Sequence, residues 1–290
     1  MGSTDWRGTS FVCAAFLLGG LAAGGPLRDA WAPIARAIGL ERTPASANVV
    51  SGHEFDDLDE MTPQDQAELL LERSINHYHG ANEAIAARVK SWRGKIELDH
   101  RLNNLFVTAI NSDDLAVRMA GIEVDIAARN LEKDASTVDR LEATALEDEQ
   151  GARVKAMWDL ALLGNRGVER ERVFDILMAA VHDHNENIRY WAVEGLAYLA
   201  TDSAIEPLLD MFHDDPLPTI RERAARGLAQ SGMFSAEQRR KAIPRLLDFA
   251  ADRALDEQTH SWVFQALRDI TGQALQHNAQ AWRDWYAASR

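Results

Sequence analysis

Asp183 to Leu196 reads DHNENIRYWAVEGL, and Asp215 to Leu228 reads DPLPTIRERAARGL. Aligned, the two stretches share an aspartate and, five residues on, a β-branched residue followed by arginine. Alanine then comes four positions and leucine eight positions after the β-branched residue. Ile188, Ala192 and Leu196, like Ile220, Ala224 and Leu228, thus fall on one stripe of a helix, and the leading aspartate stands where a helix N-terminus accepts a cap. Looser copies run Val117-Arg118-Met119-Ala120-Gly121 and Val154-Lys155-Ala156-Met157-Trp158, with Leu162 completing the second. Successive starts are 37, 34 and 32 residues apart. A degenerate fifth copy spans Gln258 to Ile270, where Trp262 and Ala266 hold the small-residue and leucine positions.

Between these copies lies a second helical pattern. Val173, Ile176, Leu177 and Ala180 recur as Ile205, Leu208, Leu209 and Phe212, and again as Ile243, Leu246, Leu247 and Ala250. A period in the thirties with two amphipathic helices per unit predicts an all-α fold of the α-solenoid type, a superhelix of antiparallel helix pairs. One such pair cannot bury its apolar face alone, so neighbouring pairs stack into a continuous core. The motif Asp-x4-[Val/Ile]-Arg-x2-Ala-x3-Leu resembles HEAT repeats, particularly the shorter bacterial form found in phycobilisome-lyase-type proteins, over roughly residues 80–272. The resemblance implies that Arg118, Lys155, Arg189 and Arg221 pair with acids of the inter-helix turns, such as Asp183 and Asp215, and hold the repeats in register.

The array is expected over residues 62–290. Thr62-Pro63-Gln64-Asp65 is a good helix start, with a threonine cap and proline at the first helical position. Ala67, Leu70, Leu71, Ser74, Ile75 and Tyr78 give that helix one face, Ile85, Val89 and Trp92 give the next helix another, and Leu98, Leu102, Leu105, Phe106, Ala109 and Ile110 a third. Near the other end, Asn278 is placed to cap a helix whose Trp282, Trp285 and Tyr286 share a face, which reads as a cap over the last repeat.

Residues 1–40 are expected to hold an N-terminal hydrophobic helix and a short amphipathic one. The 20 residues between Arg7 and Arg28 carry no charge, about the length a spanning helix needs, and Trp6 and Trp31 flank them. A single-pass membrane anchor through residues 8–27 is the expectation, with its orientation open. A cleaved signal, giving a periplasmic or secreted protein, is the alternative. Residues 41–61 read as an acidic linker, with five carboxylates between Glu54 and Glu60.

Composition limits the chemistry. The chain has 31 Lys and Arg against 45 Asp and Glu, a net charge of −14, and residues 51–290 alone hold 27 bases against 42 acids. No nucleic-acid partner is expected, because phosphate binding needs the opposite balance. A single cysteine rules out a multi-cysteine zinc site. His182-Asp183-His184, His213-Asp214-Asp215 and His77-Tyr78-His79 all sit at helix ends, where capping explains the acids better than a metal does. Neither a nucleophile elbow nor a phosphate loop is present. No enzyme activity, catalytic residue, metal or cofactor is therefore expected.

What remains is a protein-interaction scaffold that binds a protein partner. In a HEAT array the second helices are taken to line the concave side. Asp175, Met178, Glu206, Asp210, Met211, Arg245, Asp248 and Phe249 are their positions left uncommitted to the core. Methionine and phenylalanine among carboxylates suit a protein surface better than a phosphate. A ligand- or chromophore-handling protein of the phycobilisome-lyase type is the alternative.

Overall fold

The structure is a computed structural model that describes residues 56–147 and 149–289. Among these residues every regular element is helical. A short 3-10 turn, Asp56–Glu60, precedes α1 (Pro63–Ile75), α2 (Ala81–Trp92), α3 (His100–Ile110), α4 (Leu115–Ala128) and α5 (Ala135–Ala145). Next come α6 (Gln150–Asn165), α7 (Arg170–Ala180), α8 (Glu186–Leu199), α9 (Ile205–Asp214) and α10 (Pro218–Gln230). The last are α11 (Ala236–Arg240), α12 (Ile243–Ala251), α13 (Glu257–Thr271) and α14 (Ala279–Ala288).

The starts follow local chemistry. Thr62 accepts from the Asp65 N–H with Pro63 in the first turn, and Asp114, Asp134, Asn185, Asp256 and Asn278 cap their helices in the same way. The repeat stripes are core: Ile188, Ala192, Leu196, Ile220, Ala224 and Leu228 are all buried, as are Leu208, Leu209, Leu246 and Leu247 opposite them. Trp282 of α14 is fully buried and closes over α12.

The helices form two rows. The helices of the Asp183-to-Leu196 type, α4, α6, α8, α10 and α13, pack one along the next, whereas α7, α9 and α12 make little contact with each other. Small residues explain the difference. A Cβ on Gly195 of α8 would lie 3.3 Å from the Ala161 Cβ of α6, and one on Gly227 of α10 would lie 2.9 Å from the Ala197 Cβ of α8. In a curved double layer, the row whose members approach most closely lies at the smaller radius. We take the closely packed row α4, α6, α8, α10 and α13 as the inner row, whereas the sequence pattern puts the second helices on the concave side.

Two expectations about the N-terminal region change. The single-pass membrane location is withdrawn, because no helix among the described residues is long and apolar enough to cross a membrane. The longest, α6, has 16 residues and carries Arg153, Lys155 and Asp159, where a span needs about 20 mostly apolar ones. The expected hydrophobic segment at residues 8–27, like the whole of residues 1–55, lies outside the described residues. The last part of the expected linker is docked: Leu58 is buried in the core, its carbonyl accepts from Gln66 Nε2 at 2.7 Å, and Asp59 meets Arg88 at 3.2 Å.

Candidate functional site

The repeat arginines form a register device. Arg189 Nε donates to Asp215 of the next turn at 2.9 Å, while its Nη1 donates to the carbonyls of Asp183 and His184 in its own turn. Arg221 repeats the arrangement, with Nη2 on Asp256 at 2.8 Å and Nη1 on the carbonyls of Asp215 and Pro216. Asp183 and Asp215 also accept from the backbone of Asn185 and Leu217 and so shape the turns themselves. Asp183 receives its cation from Arg153, and Lys155 reaches Asp125 of α4 instead. Arg118, at the same repeat position, leaves the pattern altogether.

Arg118 points inward and meets Glu194 at 2.9 Å, with side chains 4% and 2% exposed. Arg118 is on α4 and Glu194 on α8, so the contact passes over the inner face of the intervening α6. Arg223 of α10 approaches the other oxygen of Glu194 at 3.0 Å. Two guanidinium groups from helices on either side thus share one buried carboxylate. Around this centre several polar atoms are buried without a hydrogen-bond partner: Arg118 Nε, Glu194 Oε2 and the Tyr198 hydroxyl; the indole N–H of Trp158, on α6, is also buried and unmatched. Glu194 Oε2 is therefore in Coulombic contact with Arg118 rather than in an aligned hydrogen bond. Each unmatched donor costs about 1–3 kcal/mol in a folded protein. Burial, reinforced by the Glu194 charge, holds the Tyr198 hydroxyl well above its ordinary pKa, so it stays protonated.

A row of aromatic rings adjoins this centre through Arg223. Phe106 of α3 and Trp158 have ring centroids 6.5 Å apart, Trp158 and Trp191 4.7 Å edge to face, and Trp191 and Tyr190 5.2 Å. The Arg223 guanidinium lies 5.3 Å over the Tyr190 ring. All five residues are half-buried. Trp158, Trp191 and Tyr190 belong to the repeat stretches, but their clustering depends on how closely α6 and α8 approach, and the repeat period does not report that distance.

The expected partner-binding residues sit elsewhere. Asp175, Glu206, Asp210 and Asp248 are exposed on α7, α9 and α12, and Met178 is half-buried against the core. Arg245 is committed to the neighbouring helix, with Glu206 at 2.8 Å and Asp210 at 3.0 Å, and Arg283 lies 3.6 Å from Asp248. Met211 and Phe249, expected as exposed apolar points, are buried in the core. Phe249 packs edge to face on Phe212 at 6.1 Å, under His213 and Arg245. In short helices with apolar stripes this wide, the flanking apolar positions are drawn inside too.

The histidine turns hold no candidate metal cluster among the described residues. His182 and His184 are exposed, and His213 is clamped between Asp214 and Asp252. A separate cavity of about 400 Å³ opens between α2 and the turn after α4, lined by Val89, Lys90, Arg93, Ile126, Leu131 and Lys133. Two of its cations are already engaged, Arg93 by Glu132 at 2.5 Å and Lys133 by Glu123 at 2.8 Å.

Comparison with known proteins gives a family match over part of the chain. A family model of HEAT repeats matches residues 138–229, from within α5 to near the end of α10. No curated protein matches the chain. Among solved structures the chain is similar to an engineered protein at 16% identity and a TM-score of 0.35, covering 71% of this chain and 89% of that one. It is also similar to a designed armadillo repeat protein in complex with a (KR)4 peptide, at 12% identity and a TM-score of 0.35, covering 70% and 99% of the two chains. The matching family model describes a helical repeat, and such repeats serve many functions.

Proposed function

We propose that the chain is a non-enzymatic scaffold that binds a protein partner on the inner row of its HEAT-like array, centred on Trp158, Tyr190 and Trp191. The observation that carries this reading is the half-buried aromatic row bordered by Arg223. Tryptophan, tyrosine and arginine dominate binding energy at protein interfaces, because they offer large contact area with few rotors to freeze. The matching family model describes a repeat rather than an activity, which accords with a scaffold. The outer set of Asp175, Met178, Glu206, Asp210, Met211, Arg245, Asp248 and Phe249 is the rival face. Its ion pairs and buried rings leave it fewer uncommitted groups.

The test is crosslinked affinity purification with the full chain as bait, comparing Tyr190→Ala and Trp191→Ala with Asp175→Ala and Arg245→Ala. Each variant is first checked for wild-type helicity and a melting midpoint above the assay temperature. A stoichiometric protein retained by the outer variants and lost with the inner ones is expected. A partner retained by both inner variants overturns the placement, and no stoichiometric partner overturns the scaffold. A coloured or small-molecule-loaded preparation without a partner would instead favour the chromophore-handling alternative.

A further inference from the structure

We infer that the polar centre beside the aromatic row, formed by Arg118, Arg223, Glu194 and Tyr198, is a binding site for an oxyanion of the carboxylate class. The argument starts from an imbalance. Two guanidinium groups face one carboxylate, Glu194, which leaves one positive charge in excess in a buried place. Glu222, the next acid near Arg223, is engaged by Arg226 at 2.8 Å. The hydrogen-bond balance leans the same way: Arg118 Nε, the Tyr198 hydroxyl and, on α6, the Trp158 indole N–H are unmatched donors, against the unmatched acceptor Glu194 Oε2, which already faces Arg118 at 2.9 Å. Native proteins leave few buried donors unmatched, so several in one neighbourhood point to an acceptor that completes them.

A water molecule brings as many donors as acceptors and leaves the charge standing. A carboxylate brings only acceptors, neutralises the excess charge, and matches the fork of a guanidinium. Trp158, Tyr190 and Trp191 are half-buried, and the Arg223 guanidinium of the centre lies 5.3 Å over the Tyr190 ring. The site does not depend on the protein-partner reading, since a free organic acid and a carboxylate of a bound protein segment satisfy the same donors.

The experiment follows thermal unfolding of the full chain at constant ionic strength, with sodium chloride as the reference salt. The probes are sodium acetate, sodium succinate, sodium phosphate, and two tetrapeptides that differ only in a free or amidated C-terminal carboxylate. A saturable rise in midpoint beyond that in chloride, with acetate or succinate or with the free-carboxylate peptide alone, is expected. Response to the small acids assigns the site to free metabolite-sized acids, and response to the peptide alone assigns it to a protein segment. Arg118→Met should abolish the response. Should that variant not fold, Tyr198→Phe, which deletes a single oxygen, should weaken apparent affinity by roughly tenfold. The inference is overturned if no carboxylate exceeds chloride, and a Tyr198→Phe midpoint that then rises would read as simple relief of an unmatched donor. A phosphate response larger than every carboxylate response overturns the ligand class.

Discussion

Arg118 of α4 and Glu194 of α8 hold each other at 2.9 Å across the face of α6, both out of solvent. Helices on either side of a third can meet in front of it only where the row bends toward that side, so this pair marks the inner curvature. Breaking one partner of a buried ion pair costs far more than replacing both. Glu194→Leu, which strands both Arg118 and Arg223, should lower unfolding free energy by about 3 kcal/mol or more. Arg118→Met combined with Glu194→Leu should recover a large part of that, because Arg223, on the half-buried rim, can turn to water. Urea denaturation of the two variants checks it, and a double variant no more stable than the single one would show that the pair is not what holds α4 to α8.

The register arginines give a second expectation. Arg189 and Arg221 each bridge a carboxylate of the next turn and two carbonyls of their own, so alanine at either site frees several charge-assisted bonds at once. A cost of about 1.5–3 kcal/mol is expected for each. Lysine should recover less than half, since it keeps the charge and loses the fork that spans two turns. Thermal midpoints of the four variants decide this, and an unchanged midpoint for Arg221→Ala would remove the turn-to-turn clamp.

Gly227 tests the close row directly. In an exposed helix, glycine to alanine gains up to about 1 kcal/mol of helix propensity. Here the new Cβ would meet the Ala197 Cβ at 2.9 Å, and neither atom can rotate away. Gly227→Ala should therefore destabilise by about 1–2 kcal/mol despite the propensity gain. A stabilised variant would mean that α8 and α10 part easily.

Much of this architecture is legible in the sequence. The stripe of Ile188, Ala192 and Leu196 and its copy at Ile220 carry the helix pairs, Thr62 and Asn278 announce their caps, and the turn aspartates point to their arginines. The choice of inner row is harder, because a period of thirty-odd residues is the same for both rows. A signal was present: Ala161, Gly195 and Gly227 each fall seven residues after the β-branched residue of their repeat, where only small side chains permit close stacking. The Arg118–Glu194 centre is written less plainly. It joins helices two repeats apart, and its residues share no position in the motif. Met211 and Phe249 mislead because an apolar residue at the edge of a helical stripe can lie on either side of the boundary between core and surface.

His213 joins the ends of α9 and α12, with Nε2 3.0 Å from Asp252 and Nδ1 on Asp214. Burial works against its proton, but the two carboxylates outweigh burial and raise its pKa above the usual 6.5. His260 is the other titratable group acting on Asp252. Because the folded value is the higher one, the contribution is complete below about pH 6.5 and disappears as pH rises through the folded pKa. Partial exposure limits it to about 0.5–1 kcal/mol. His213→Gln should therefore separate from the wild type in midpoint at pH 5.5 and converge with it at pH 8.5, and a constant gap across that range would assign the residue a packing role against Phe249 alone.

Asp159 has the opposite sense. Burial pushes its carboxyl up to about 6, with Arg129, 2.6 Å away, pulling it down and Asp125 pushing it further up. Its Oδ1 is buried without a hydrogen-bond partner. Between the ordinary value of 3.8 and about 6 the folded protein binds a proton that the unfolded chain has already released, so this group makes folding less favourable as pH rises through that window. The cost is complete above about 6 and on the order of 3 kcal/mol. Asp159→Asn keeps the shape and removes the titration, while Arg129 retains Asp125 at 2.5 Å. The variant's stability relative to wild type should therefore climb between pH 4 and pH 6.5 and level off above. Urea midpoints in a series of buffers would trace that curve. A flat difference would show that Asp159 is ionised in the folded protein throughout, with Arg129 fully offsetting its burial.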